Sequence, residues 1–191
     1  MSNQKVTQMI KRWKPLIIGA ITGTVVMFIW GAAEWFNPFL SNPYQKPVNS
    51  ELVNKVLLEH LPENGIYVWP NGPETKTEAG KPRGLMYFMA KQDVSFYNPG
   101  KFMAIQLVTQ LGTWLLITHL LLLAGFPSHR TRIVFILLLG VLAGLIFLVP
   151  MWNWWGFSTE YVLTRWLNLL AGWILAGLAV SYVLRKYFIT Q

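Results

Sequence analysis

Four long apolar runs constrain this chain more than any other feature. They are Pro15 to Ala33, Phe102 to Phe126, Ile133 to about Trp152, and Trp166 to Leu184, and none contains Asp, Glu, Lys or Arg. A helix needs about 20 apolar residues, at roughly 1.5 Å each, to cross about 30 Å of hydrocarbon. Each run meets that length, and none alternates polar and apolar residues as a barrel strand must. Only 13% of the chain is charged, where a soluble domain carries about 25%. The expectation is an all-α membrane protein, a bundle of four transmembrane helices in contact with the lipid bilayer.

Charge placement predicts the orientation. Lys5, Lys11, Arg12 and Lys14 precede the first run, Arg130 and Arg132 separate the second from the third, and Arg185 and Lys186 follow the fourth, with no acidic residue beside them. Residues 37–101 mix both signs, and the link from Pro150 to Glu160 has no Lys or Arg. By the positive-inside rule both termini face the cytoplasm. The predicted division is 1–14 cytoplasmic, 15–36 spanning, 37–100 external, 101–126 spanning, 127–132 cytoplasmic, 133–152 spanning, 153–160 external, 161–184 spanning and 185–191 cytoplasmic. The first run exceeds the 7–15 residue core of a cleaved signal, which favours a retained span.

The external segment is predicted to be a small α+β insertion. Asn49 or Ser50 can cap a helix reaching about His60, with Leu52, Val53, Val56, Leu57 and Leu61 apolar at helical spacing. Gly65 to Trp69 and Gly84 to Ala90 are rich in β-formers and read as two strands, with a polar loop, Asn71 to Arg83, between them. The steps Asn37-Pro38, Asn42-Pro43 and Asn98-Pro99 are turn signals. So small a unit has little core of its own and is expected to rest on membrane-side aromatics or on a partner.

Small residues recur inside the runs: Gly19, Gly23 and Gly31; Gly140 and Gly144; Gly172, Ala176, Gly177 and Ser181. Such stripes allow close helix approach, within the chain, with a partner membrane protein or in a homo-oligomer. Gln106, Gln110 and Thr113 share a face of the second run and read as interhelical hydrogen-bond donors and acceptors. Glu34 and Arg165 fall at the outer ends of the first and fourth runs. Three readings stay open for them: an ion pair, separate reach to the interface, or a transport path. Trp35, Trp152, Trp154, Trp155 and Tyr161 form an outer aromatic cluster suited to the headgroup region.

No catalytic, nucleotide-binding or metal-binding motif is present, so no catalytic residue, metal ligand or cofactor is expected. The absence of cysteine excludes disulfides and thiolate sites. His119 lies deep in the second run, but His60 and His129 fall in other compartments, against a haem held by two histidines or a histidine metal cluster. The net charge of +8 sits beside apolar runs and is read as topology, with no nucleic-acid partner.

Trp30-Gly31 followed by Trp35, Gly65-Ile66-Tyr67-Val68 with Pro70, and Trp152-Asn153-Trp154-Trp155-Gly156-Phe157 with Tyr161 together carry a resemblance. The chain resembles a group of small bacterial inner-membrane proteins of this four-span layout. That implies the bacterial inner (plasma) membrane and brings no activity with it. The small multidrug transporters are similar in span number and in a glutamate on the first span; Glu34, however, lies at the outer end, and they lack the long external segment. A non-catalytic accessory, scaffold or assembly component is therefore expected. The alternative is a small transporter or channel using Glu34, Arg165 and the Gln106/Gln110 face.

Overall fold

A computed structural model describes residues 3–36, 47–61, 63, 65–69, 86–90, 98–126 and 128–188. The elements run α1 (Asn3–Phe36), α2 (Ser50–His60), β1 (Gly65–Trp69), β2 (Met86–Ala90), α3 (Pro99–Ala124), α4 (His129–Asn153) and α5 (Thr159–Phe188). Helices α1, α3, α4 and α5 are each long and apolar enough to cross a membrane, which fits a multi-pass integral membrane protein. The helices outrun the predicted spans. α1 extends through Pro15 into the basic segment, α4 begins at His129 and α5 continues to Phe188. Polar flanks end the apolar run but give the backbone no reason to unwind.

The termini follow local chemistry. Asn98 accepts a hydrogen bond from the Lys101 N–H with Pro99 in the first turn, so the third Asn-Pro step starts α3. Gly125, left-handed at φ 61°, ends it. Ser128 caps α4 and Ser158 caps α5 through the Thr131 and Tyr161 N–H groups. The link between α4 and α5 turns on Gly156 at φ 67°.

Across the bundle the order is α3, α1, α5, α4, and each of the three extensively packed helix pairs is antiparallel. α5 is the most buried span and α4 the least. Among the described residues α3 and α4 do not pack along their lengths; they meet at their shared end, where the Phe126 and Phe135 rings lie 5.2 Å apart. Met27, Trp114, Ile117, Leu121, Ile136, Ala176, Val180 and Leu184 form the core cluster.

Ring-on-glycine contacts hold the helices together. Trp114 of α3 lies on Gly23 of α1, Trp30 of α1 on Gly172 of α5, and Trp166 and Trp173 of α5 on Gly144 and Gly140 of α4. Between helices in lipid there is little hydrophobic drive, so association depends on close van der Waals fit. A glycine removes the side chain that would hold a flat indole away from the neighbouring backbone. A Cβ at Gly172 would fall 2.6 Å from Trp30, and those at Gly23 and Gly144 would overlap their rings. Gly19 receives Thr118 and Gly177 receives Ile136, but Gly31 has nothing within 4 Å. The small-residue stripes are therefore filled largely from within the chain.

The segment between α1 and α3 corrects the expectation of an α+β insertion. Asn49 caps α2 as predicted, and β1 and β2 pair antiparallel with Tyr67 opposite Phe88. Yet α2 buries no residue, and Leu52, Val53, Val56 and Leu58 are exposed. Among the described residues the helix and hairpin do not pack on each other, so a folded α+β unit is not supported. Propensity makes the pieces, but a unit needs apolar faces that meet. The 71–83 loop and the Asn37-Pro38 and Asn42-Pro43 steps lie outside the described residues.

Candidate functional site at the Glu34 end of the bundle

Glu34 stands in the last turn of α1 and Arg165 in the second turn of α5, and the antiparallel packing of these helices brings them together. The Arg165 Nη1 donates to Glu34 Oε1, with the two side chains 25% and 19% exposed. Partial burial strengthens the attraction relative to a surface pair without the full cost of burying both charges. One turn earlier on α5, the Tyr161 ring lies 5.6 Å from the Arg165 guanidinium carbon. Phe157 packs on Tyr161 with ring centroids 5.0 Å apart.

Asn168 follows Arg165 by three residues, on the same side of α5. Its carbonyl oxygen accepts from Trp30 Nε1 at 3.2 Å. Its side chain is buried, and neither Oδ1 nor Nδ2 has a protein hydrogen-bond partner. A buried amide without partners carries a desolvation cost. Glu34, Trp30, Tyr161, Arg165 and Asn168 thus form one polar cluster between α1 and α5. It can latch the two helices electrostatically. Among the described residues no three His, Cys, Asp or Glu side chains converge as metal ligands.

Among the described side chains, the other predicted positions do not join this cluster. Gln106 is exposed and Gln110 half-buried on α3. The Thr113 hydroxyl donates to its own helix, to Thr109 O at 2.9 Å, in place of the expected bond to another helix. His119 is exposed on α3. Trp152, Trp154 and Trp155 are exposed around the α4–α5 link, where Trp152 Nε1 donates to Thr159 Oγ1 at 3.1 Å. The side chain of Trp35 lies outside the described set.

A second polar centre, at the opposite end of the bundle, was missed in the sequence. Arg132 is 2% exposed; its Nε donates to Ser181 Oγ at 2.7 Å and its Nη1 to Phe126 O at 2.8 Å. Read as a topology charge, it also ties α4 to α5 and to the end of α3. The signal was present: Arg132, Ile136, Gly140 and Gly144 recur at four-residue spacing and are the buried residues of α4. Asn168 was overlooked too, though it stands a helical turn from Arg165 in an otherwise apolar run.

No protein-family model, curated protein or solved structure significantly matches the chain. Fold and geometry define its class as a multi-pass membrane protein of four apolar helices. The likeness to small bacterial four-span proteins rests on its motif residues alone.

Proposed function

We propose that the protein is a non-catalytic accessory, scaffold or assembly component of a complex in the bacterial inner membrane, with both termini cytoplasmic. One observation carries this reading: the helix interfaces are occupied by the chain's own side chains, with rings on glycines and Arg165 bonded to Glu34. Such an interior favours a fixed shape over a moving path for solute. The asymmetry of Lys and Arg supports the orientation. A reporter fused after Gln191 should report cytoplasm, and one inserted between Thr75 and Gly80 the outside.

The transport alternative has its own supporting observation, the buried unpartnered amide of Asn168 near the ion pair. Reconstitution separates the readings. Vesicles containing the purified protein should release ions and small organic cations no faster than empty vesicles. In mild detergent the protein should bring down a stoichiometric membrane complex. Flux above the empty-vesicle rate that Glu34→Gln abolishes would replace the accessory reading with transport.

A further inference from the structure

Helix α2 has nothing among the described residues to pack against. It is 11 residues long, and helices shorter than about 12–15 residues are marginal in water unless an apolar face is covered. Every residue but the half-buried Leu57 is exposed, and among the described residues neither the spans nor the hairpin pack on it. Local features favour the helix without replacing packing: Asn49 caps it, and Glu51, Lys55 and Glu59 stand four apart with alternating sign. Its apolar residues gather on one side. At about 100° per residue, Leu52, Val53, Val56 and Leu57 share an arc of about 140°, while Glu51, Asn54, Lys55 and Glu59 fall outside it. His60 closes the arc at the C-terminal end, and Leu58 alone breaks the polar side.

We infer that α2 is an interfacial helix, lying flat on the bilayer at the Glu34 end of the bundle with its aliphatic arc among the upper acyl chains and its charged side in water. The tether selects this occupant. Gly19 meets Thr118 and Gly23 meets Trp114, so α1 and α3 run antiparallel, and the end of α1 and the start of α3 stand at one bilayer surface. Only residues 37–49, 13 in all, separate α1 from α2, and a chain of that length reaches at most about 45 Å. A surface held so close is met at a high effective concentration, which a free partner is not. Composition agrees. The arc holds only leucine and valine before His60, whereas contacts between proteins concentrate their energy in Trp, Tyr and Arg. Hydrocarbon asks only for apolar area. With two glutamates to one lysine, the helix has no positive charge to draw it to anionic headgroups, so zwitterionic lipid suffices. The inference rests on the membrane reading of the spans and not on the accessory role.

The absence of cysteine lets single reporters be placed in the full-length protein. Val56→Cys on the arc, Asn54→Cys on the polar side and Leu142→Cys, exposed on α4, each carry a nitrobenzoxadiazole label in phosphatidylcholine vesicles at low protein-to-lipid ratio. The label at Val56→Cys should emit to the blue of that at Asn54→Cys. It should also be quenched several-fold more by lipids brominated near the headgroup end of their chains. The label at Leu142→Cys should be quenched most by lipids brominated near the tail end. Added phosphatidylglycerol should leave all three unchanged. Val53→Asp with Leu57→Asp should bring quenching at Val56→Cys down to the level at Asn54→Cys. Equal quenching at Asn54→Cys and Val56→Cys beside a quenched Leu142→Cys overturns the inference alone; an unquenched Leu142→Cys overturns the membrane reading and the inference with it. A Val56→Cys label shielded from water yet unquenched puts a protein surface on the arc, and shielding seen only at high protein-to-lipid ratio puts a second copy there; either result overturns the inference. So does quenching confined to anionic vesicles, or quenching that survives both aspartates.

Discussion

Helix α3 is one continuous span with two different fates. Its C-terminal half buries Trp114, Ile117, Thr118 and Leu121, whereas Met103 to Thr109 are exposed throughout. Hydropathy does not separate the halves, since Met103, Ile105, Leu107 and Val108 are as apolar as the buried set. The neighbour does. Beside the C-terminal half, α1 presents Gly19 and Gly23 as seats for Thr118 and Trp114. Beside the N-terminal half, α1 turns its large and charged residues, Trp30 and Glu34, toward α5. In lipid, where apolar surface gains little by leaving its surroundings, the shape of the opposing helix decides what is covered.

Substitutions that fill the seats should have the largest effect. Gly23→Ile and Gly144→Ile each place carbon where an indole now lies, and should cost about 3 kcal/mol, the upper end for overpacking. The check is melting in detergent; parental melting in both would mean that the rings move aside and that shape does not govern coverage. Next in size is the latch between α1 and α5. Glu34→Gln and Arg165→Gln should each cost roughly 1–3 kcal/mol, and the double variant less than their sum. Chemical denaturation of the four proteins gives the coupling, and strictly additive losses would mean that the pair does not tie the helices.

Arg132→Met keeps much of the side-chain volume but leaves Ser181 Oγ and Phe126 O without their donor. A loss of about 1–2 kcal/mol is expected, read from the shift in denaturation midpoint; no shift would make this arginine a topology signal alone. The smallest effect belongs to the uncovered half. Gly112 has nothing within 4 Å, so Gly112→Ile should change monomer stability by under about 0.5 kcal/mol. A large loss in monomer melting would show that this half of α3 is covered after all.

These contrasts mark what could be read from residues. The spans were legible because about 20 uncharged apolar residues have few other uses. The Glu34–Arg165 contact could be anticipated because both fall at the same end of antiparallel spans. Which helix would meet each glycine was not legible, since a stripe specifies a surface and not its neighbour. The glutamine face shows the same limit: its spacing could be read, but nothing in it says whether another helix lies opposite. Arg132 was hidden by its flank position, where one charge can serve orientation and packing together. Between α1 and α3, caps and propensities are local and were readable, while packing between the pieces depends on contacts that local rules do not specify.

The Glu34–Arg165 latch also has a consequence in time. Its partners lie 131 residues apart in the chain, so at 5–20 residues per second the first helix waits roughly 7–26 s for its arginine to be synthesised. Helices α4 and α5, joined by a short link and packed along their length, can enter the bilayer as a hairpin. The first span cannot settle so early, because both of its neighbours are made later. During that interval a carboxylate and a row of empty glycine seats face lipid or the insertion machinery. The vulnerable stage of this protein's biogenesis is therefore the lone first helix, and arrival of the last span ends it.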